Sequence, residues 1–241
     1  PSKRSETMAS DKTVSTAKAK TIVQELRTHY PCAHCELNFQ NPFQLLIATI
    51  LSAQCTDVRV NLVTPSLFKR YPDAQAMAKA KLSDLETLIR STGFYRSKAQ
   101  SLLSCSRDIV EKHHGEVPAT LEELVRLRGV GRKTANVVLG VAFGVASGIV
   151  VDTHVFRLSH RLAMSNAKNA EATEKDLIKL FAFVYRASPV SLFCRDTSLY
   201  DMFFALTLRV LPTGSQGSLR TRRCGSFCEK NVRKLLSIAA K

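Results

Sequence analysis

The sequence lacks long hydrophobic runs and is short of acidic residues. No stretch approaches the roughly 18 consecutive apolar residues that a bilayer span requires, so no membrane-spanning helix is predicted. Residues 1–20 contain no apolar segment typical of a secretory signal. The chain has 35 basic but only 20 acidic residues, a net charge of +15. This excess favours a polyanionic partner, above all nucleic acid, over a surface that is cationic merely for solubility.

A regular alternation of apolar and polar residues is also missing, so strands are not predicted. The apolar spacing is helical almost throughout, and we predict an all-α fold of about ten helices. Asn41-Pro42 is typical of a helix start. Ser83 with Glu86 and Thr120 with Glu123 have the spacing of capping boxes.

The order of these elements predicts two helical lobes with a central cleft. We expect a disordered tail over residues 1–12 and a helical domain over residues 43–142. Residues 13–42 together with residues 143–241 form the second predicted domain.

A glycine turn stands out in the stretch LRGVGRKTANVVLG, residues 127–140. Gly129, Val130 and Gly131 form a tight turn between two predicted helices, and backbone amides at the start of the second helix can bind a phosphate. The alternative is an ordinary helical hairpin with a glycine cap. The net charge of the chain favours the phosphate site.

Two ionisable residues near this turn have the chemistry of a reactive site. Lys133 is the second residue of the new helix, where the helix dipole disfavours the ammonium, and desolvation in an apolar cleft would favour the neutral nucleophile further. A contact to phosphate or to solvent is the simpler role for this lysine. Asp152 follows Ile149-Val150-Val151 and precedes a helix, so it is a candidate cap. A carboxylate held in this way can also stabilise positive charge on a reacting sugar.

Four motifs in order carry a family resemblance: FQLLIATILSAQCTDVRVN, STGFYRSKAQ, LRGVGRKTANVVL and IVVDTHVFR. With them the chain resembles the endonuclease III branch of the helix-hairpin-helix DNA glycosylases. The resemblance implies that Lys133 is the Schiff-base lysine and Asp152 the catalytic aspartate. It places Gln54 in the gap left by a flipped nucleotide and Phe94 at the wedge position, where leucine is more usual. Taken alone, Gln54 is a polar helix end, Phe94 a core aromatic residue and Asp57 a helix cap.

The resemblance also implies a function. We expect a base-excision-repair glycosylase with AP-lyase activity on oxidised pyrimidines in duplex DNA, acting as a monomer. The alternatives are a monofunctional glycosylase, in which the position of Lys133 has no lysine, and a weakly active protein that binds damaged DNA. The expected location is the bacterial cytoplasm, in association with the nucleoid.

The seven cysteines bear on cofactors. Members of this branch usually hold a 4Fe–4S cluster with four C-terminal cysteines, whereas this tail has only Cys224 and Cys228, spaced C-x3-C. Two thiolates cannot replace four ligands, so we predict that the cluster is lost. Cys32 and Cys35 could join that pair around zinc, but C-x3-C is a poor zinc knuckle. We therefore expect reduced thiols and no metal.

Overall fold

A computed structural model describes residues 15–29, 35–145 and 147–184. Over these residues the chain forms helices and turns without a strand, so the prediction of an all-α fold is confirmed. None of the described helices combines the length and the apolarity needed to cross a membrane. The predicted tail at residues 1–12 and the three cysteines Cys32, Cys224 and Cys228 lie outside the described residues.

The described helices are short and closely spaced along the chain. In order they are α1 (Thr16–His29), α2 (Pro42–Leu51), α3 (Asp57–Arg70), α4 (Ala74–Ala78), α5 (Leu82–Ile89), a 3-10 turn (Arg90–Thr92), α6 (Tyr95–Lys112), α7 (Leu121–Leu124), α8 (Arg132–Phe143), α9 (Thr153–Arg161) and α10 (Ala170–Val184).

These helices belong to two compact units. Among the described residues, one unit contains α1, α9 and α10, and the other contains α2 to α8 and ends at Val150. The domain boundaries expected after residues 42 and 142 stay predictions.

Helix α2 forms the centre of the unit that contains α2 to α8. Its apolar residues Leu45, Leu46, Ile47 and Leu51 are fully buried, as the sequence predicts for a helix that is apolar on nearly every side. Burying each such side chain contributes about 1.5–3 kcal/mol to stability. Because α2 packs against α3, α6 and α8, it fixes the mutual positions of the helices around Gln54, Phe94 and Lys133.

The observed N-termini of the helices can be compared with the capping residues predicted from the sequence. Asn41 Oδ1 accepts a hydrogen bond from Gln44 N at 2.9 Å, and Thr120 Oγ1 accepts one from Glu123 N at 3.4 Å, so both predicted starts are confirmed. The capping box at Ser83 is wrong. The N-cap of α5 is Lys81, two residues before Ser83, and it forms no side-chain cap; Ser83 lies inside the first turn.

The other unit is held together by the packing of α1 and α9 against α10. Ala19 and Ile22 of α1 and Leu177 of α10 are fully buried, and Phe181 of α10 is nearly so. Val155 on α9 is also fully buried. This apolar contact anchors α9, and with it the residue that precedes the helix, Asp152.

Candidate functional site

The glycine turn depends on one position where only glycine fits. Gly129 has a φ of +85°, and a Cβ atom built on it would lie 2.8 Å from Ser101 Cβ on α6. Side chains other than glycine disfavour such a φ, and two carbons do not approach so closely. The turn between α7 and α8 is therefore seated directly on α6.

The backbone amides of this turn divide into two kinds. Val130 N donates to Leu127 O at 3.1 Å, and the Val130 side chain is buried, so Val130 stabilises the turn from inside. Gly129 and Gly131 are exposed, and within the described residues no hydrogen bond is donated by their amides. Gly131 is also the N-cap of α8 and provides no side-chain cap. The donors available to a phosphate are thus the two glycine amides rather than that of Val130.

Lys133 follows this turn as the second residue of α8, and it is exposed. The burial in an apolar cleft considered above is therefore not its environment in this structure. Lys133 is near Asp57: burial raises the pKa of the Asp57 carboxyl, nearby Glu36 raises it further, and the Lys133 ammonium lowers it.

Contrary to the sequence prediction, Asp57 is not the N-cap of α3 but its first helical residue. The cap of α3 is Thr56, whose Oγ1 accepts from Arg59 N at 3.3 Å, so the interpretation of Asp57 as the cap is wrong. Asp57 is the first residue of α3 and is half-buried. The Asp57 carboxyl group, which the sequence analysis treated as structural, is thus close enough to Lys133 for the two charges to interact.

Asp152 is held at the start of α9. Its Oδ1 accepts from Val155 N at 2.8 Å, and its carbonyl oxygen accepts from Phe156 N at 2.8 Å. The prediction of a capping aspartate is confirmed, and the bond fixes the orientation of the carboxylate. Asp152 belongs to the unit with α9, whereas Lys133 belongs to the unit with α8.

Gln54 and Phe94 share an unusual backbone conformation. Both are non-glycine residues with positive φ, +52° at Gln54 and +47° at Phe94, and both are exposed. Phe94 is 70% exposed, so its interpretation as a core aromatic residue is wrong. Left-handed non-glycine residues are costly and occur often at ligand-binding sites. Their geometry is consistent with side chains that project from the surface.

A buried lysine that the sequence analysis did not single out contacts the segments that precede Gln54 and Phe94. Lys98 on α6 is only 6% exposed, and its Nζ donates to Leu51 O and to Thr92 O, both at 2.8 Å. Its spacing gave a signal: Lys98 and Leu102 lie one turn apart on the apolar face of α6, and both are buried. A lysine in an apolar helical stripe indicates a buried partner.

The part of the chain that the structure describes contains no candidate metal site. No group of three or more His, Cys, Asp or Glu residues is placed there to hold an ion. Of the four cysteines considered for zinc, only Cys35 is described, and it is half-buried. The predicted loss of the iron–sulfur cluster and the predicted absence of zinc therefore stay predictions.

Comparison with known proteins places this geometry in a family. Residues 47–183 match the family model of the HhH-GPD superfamily base excision DNA repair proteins. The chain is 55% identical to endonuclease III of Synechocystis sp. over 163 residues, which cover 68% of this chain and 74% of that protein. It is 44% identical to endonuclease III of Escherichia coli K12 over 164 residues, or 68% of this chain and 77% of that protein.

Solved structures of endonuclease III also resemble this chain. A trapped covalent intermediate of an endonuclease III with DNA superposes with a TM-score of 0.74 at 37% identity, covering 91% of this chain and all of that chain. A non-covalent endonuclease III–DNA complex superposes with a TM-score of 0.74 at 36% identity, covering 91% of this chain and 99% of that chain. A thermostable thymine-DNA glycosylase shares the fold. It is 21% identical and superposes with a TM-score of 0.67, covering 89% of this chain and 98% of that chain.

Proposed function

The chain belongs to the HhH-GPD superfamily of base excision DNA repair proteins, and on this premise we propose that it is a DNA glycosylase with AP-lyase activity in which Lys133 is the nucleophile. The relatives confirm the predicted family and the predicted class of enzyme. The roles of individual residues are proposals. The observation that carries them is an exposed amine, Lys133, on the first turn of the helix that follows the glycine turn.

Binding to damaged double-stranded DNA would use the turn and the two exposed residues with positive φ. The amides of Gly129 and Gly131 lie at the N-terminus of α8, where backbone donors and the helix dipole attract a phosphate. Gln54 and Phe94 would enter the base stack from the same unit, since apolar wedges and polar gap-fillers hold a duplex open. The net charge of +15 supports this binding through release of counterions.

The reaction itself needs a nucleophile and a stabilised cation. Lys133 Nζ would attack C1′ of the extruded nucleotide, the C1′–N bond would break, and the base would leave with the electron pair and take up a proton. The carboxylate of Asp152, oriented by Val155 N, would stabilise the positive charge that develops on the sugar. The sugar ring would then open as the C1′–O4′ bond breaks and O4′ takes up a proton, which gives an iminium between C1′ and Nζ. This iminium would lose a proton from C2′ and the phosphate from C3′, which cuts the strand on the 3′ side.

Three finer statements complete the proposal. The substrates are oxidised or ring-saturated pyrimidines, as the family resemblance implies. The protein acts as a monomer and is associated with the bacterial nucleoid, where its substrate lies. It works without an iron–sulfur cluster, because the tail provides two cysteines where four ligands are needed. Iron and sulfide analysis of the purified protein tests the last statement, and a stoichiometric content of either would contradict it. Stoichiometric zinc would contradict the separate expectation that the cysteines bind no metal.

Borohydride trapping tests the role of Lys133. The protein is incubated with a duplex that contains one abasic site, and reduction converts the imine into a stable adduct. We expect an adduct with the wild type and none with Lys133→Gln. The matched control is Lys69→Gln, since Lys69 is an exposed lysine in the last turn of α3 and its loss should leave trapping unchanged.

Each outcome separates the candidate functions. Base release without trapping by the wild type would indicate a monofunctional glycosylase. Binding without either activity would indicate a protein that only recognises damage. Equal trapping by the wild type and Lys133→Gln would assign the chemistry to another amine.

A second variant tests Asp152. Asparagine retains an Oδ1 that accepts from Val155 N, so Asp152→Asn removes the charge while it keeps the cap. We expect unchanged stability and a loss of base release of about a hundredfold or more. Full activity of this variant would show that Asp152 only caps α9 and has no role in the reaction.

A further inference from the structure

We propose that Lys98 is a positioning residue for nucleotide extrusion, because its buried ammonium joins the segment that carries Gln54 to the turn that carries Phe94. The inference rests on the proposed function, since it assigns these two side chains to the opened duplex. Lys98 itself lies in the interior and is not proposed to touch DNA.

The two carbonyl groups that Lys98 binds end two separate elements. Leu51 is the last residue of α2, and Thr92 is the last residue of the 3-10 turn. The final carbonyls of a helix have no partner inside it, and a cation is favoured at this negative end. One side chain therefore caps the C-termini of both elements and joins positions that are 41 residues apart, 92 − 51, in the sequence.

The candidate DNA-contacting residues lie close after these two carbonyl groups in the sequence. Gln54 comes three residues after Leu51, and Phe94 comes two residues after Thr92. Each has positive φ, a conformation that costs about 1–3 kcal/mol for non-glycine residues and persists only where the surroundings enforce it. The bonds from Lys98 Nζ anchor both segments immediately before the strained residues.

The same helix also positions the glycine turn. Ser101, three residues after Lys98, is the residue whose Cβ would be 2.8 Å from a Cβ at Gly129. Phe94 is the N-cap residue of α6. Helix α6 thus connects all three elements proposed to contact DNA, and Lys98 is the link between α6 and the Gln54 segment.

Burial of Lys98 makes this link costly to lose. Burial lowers the pKa of its ammonium, while neighbouring Cys55, which follows Gln54, raises it. Removal of the ammonium leaves two carbonyl groups without this donor in the interior. The expected consequence is relaxation of the Gln54 and Phe94 segments.

The test compares two substrates that differ in whether a base stack must be opened. Base release is measured on a duplex that contains one ring-saturated pyrimidine, 5,6-dihydrothymine, and borohydride trapping is measured on a single-stranded oligonucleotide with an abasic site. Lys98→Met keeps the apolar stem and removes the donors. We expect it to lower base release about tenfold to a hundredfold, as misplaced groups do, and to change single-strand trapping less than about twofold.

The control variants separate positioning from folding. Lys79→Met removes an equal charge at an exposed residue after α4 and should match the wild type on both substrates. In a protein that already carries Gln54→Ala and Phe94→Ala, Lys98→Met should have less than about a twofold further effect, because residues that act through one another are not additive. If Lys98→Met does not fold, Lys98→Gln, which keeps a shorter neutral donor, is measured in its place.

The outcomes decide two separate questions. Equal loss on both substrates would show that Lys98 only supports the fold and would overturn the proposal, as would wild-type rates on the duplex. An undiminished effect in the background that lacks both inserted residues would also overturn it. Failure of the wild type to trap either this single strand or the abasic duplex would instead refute the proposed function itself.

Discussion

Replacement of Gly129 by alanine measures how tightly the glycine turn is seated on α6. An alanine there would have to adopt a φ of +85°, which costs about 1–2 kcal/mol, and its Cβ would lie 2.8 Å from Ser101 Cβ, an overlap that costs about 1–3 kcal/mol to relieve. We expect the free energy of unfolding to fall by about 2–5 kcal/mol. For a protein of this size the melting temperature should fall by about 4–20 °C.

Gly131 is the matched control in the same turn. It has negative φ, −90°, and no atom lies within 4 Å of a Cβ built on it. The weaker helix cap that alanine provides is offset by the lower entropy of the unfolded chain, so Gly131→Ala should change stability by less than about 1 kcal/mol.

Urea denaturation of four variants separates overlap from backbone strain. Ser101→Gly removes the atom that a Cβ at Gly129 would meet, so the double variant Gly129→Ala/Ser101→Gly should recover about 1–2 kcal/mol relative to the sum of the single changes. The residual cost is the strain of positive φ. If Gly129→Ala is no less stable than Gly131→Ala, the turn does not require glycine at position 129 and the proposed seating on α6 is incorrect.

Three further predictions concern charged groups. Because the Lys133 ammonium lowers the pKa of Asp57, Lys133→Gln should raise that pKa further, and a carboxyl NMR titration that shows no change would exclude their coupling. Asp152→Ala should lower the free energy of unfolding by about 1 kcal/mol because it removes the acceptor for Val155 N, whereas Asp152→Asn should not, as urea denaturation of both variants can establish. The pKa of Lys98 in the folded protein is lowered from 10.5, so at a pH between that lowered pKa and 10.5 the unfolded chain binds more protons than the folded protein. The stability of the wild type relative to Lys98→Met should therefore increase as the pH rises toward 10.5. A difference in urea denaturation that stays flat or falls would contradict this.

Local signals in the sequence were reliable where a few neighbouring residues determine the outcome. The caps at Asn41 and Thr120 and the capping bond of Asp152 form between groups only three residues apart. The apolar run in α2 is buried because it has no polar face. The capping box predicted at Ser83 is wrong although its spacing was suitable, because α5 begins two residues earlier, after Lys81.

Positions that depend on distant contacts were not predictable in this way. Phe94 is an apolar residue with no local reason to be exposed. Lys98 lies on the apolar face of α6, but the carbonyl groups that allow its burial belong to other elements. Their positions result from the meeting of α2 with the 3-10 turn and α6, which lie far from α2 in the chain. The proximity of Asp57 to Lys133 likewise joins residues 76 positions apart, 133 − 57.

The sequence by itself determined the helical class, the glycine turn, the amine that follows it and the aspartate that caps α9, because periodicity, backbone freedom and capping act over a few residues. The tertiary structure alone decided that Gly129 rests on Ser101, that Val130 is used inside the turn, and that one buried ammonium anchors the segments of Gln54 and Phe94. Such contacts arise only when helices pack, since burial and the satisfaction of buried polar groups depend on the whole folded unit.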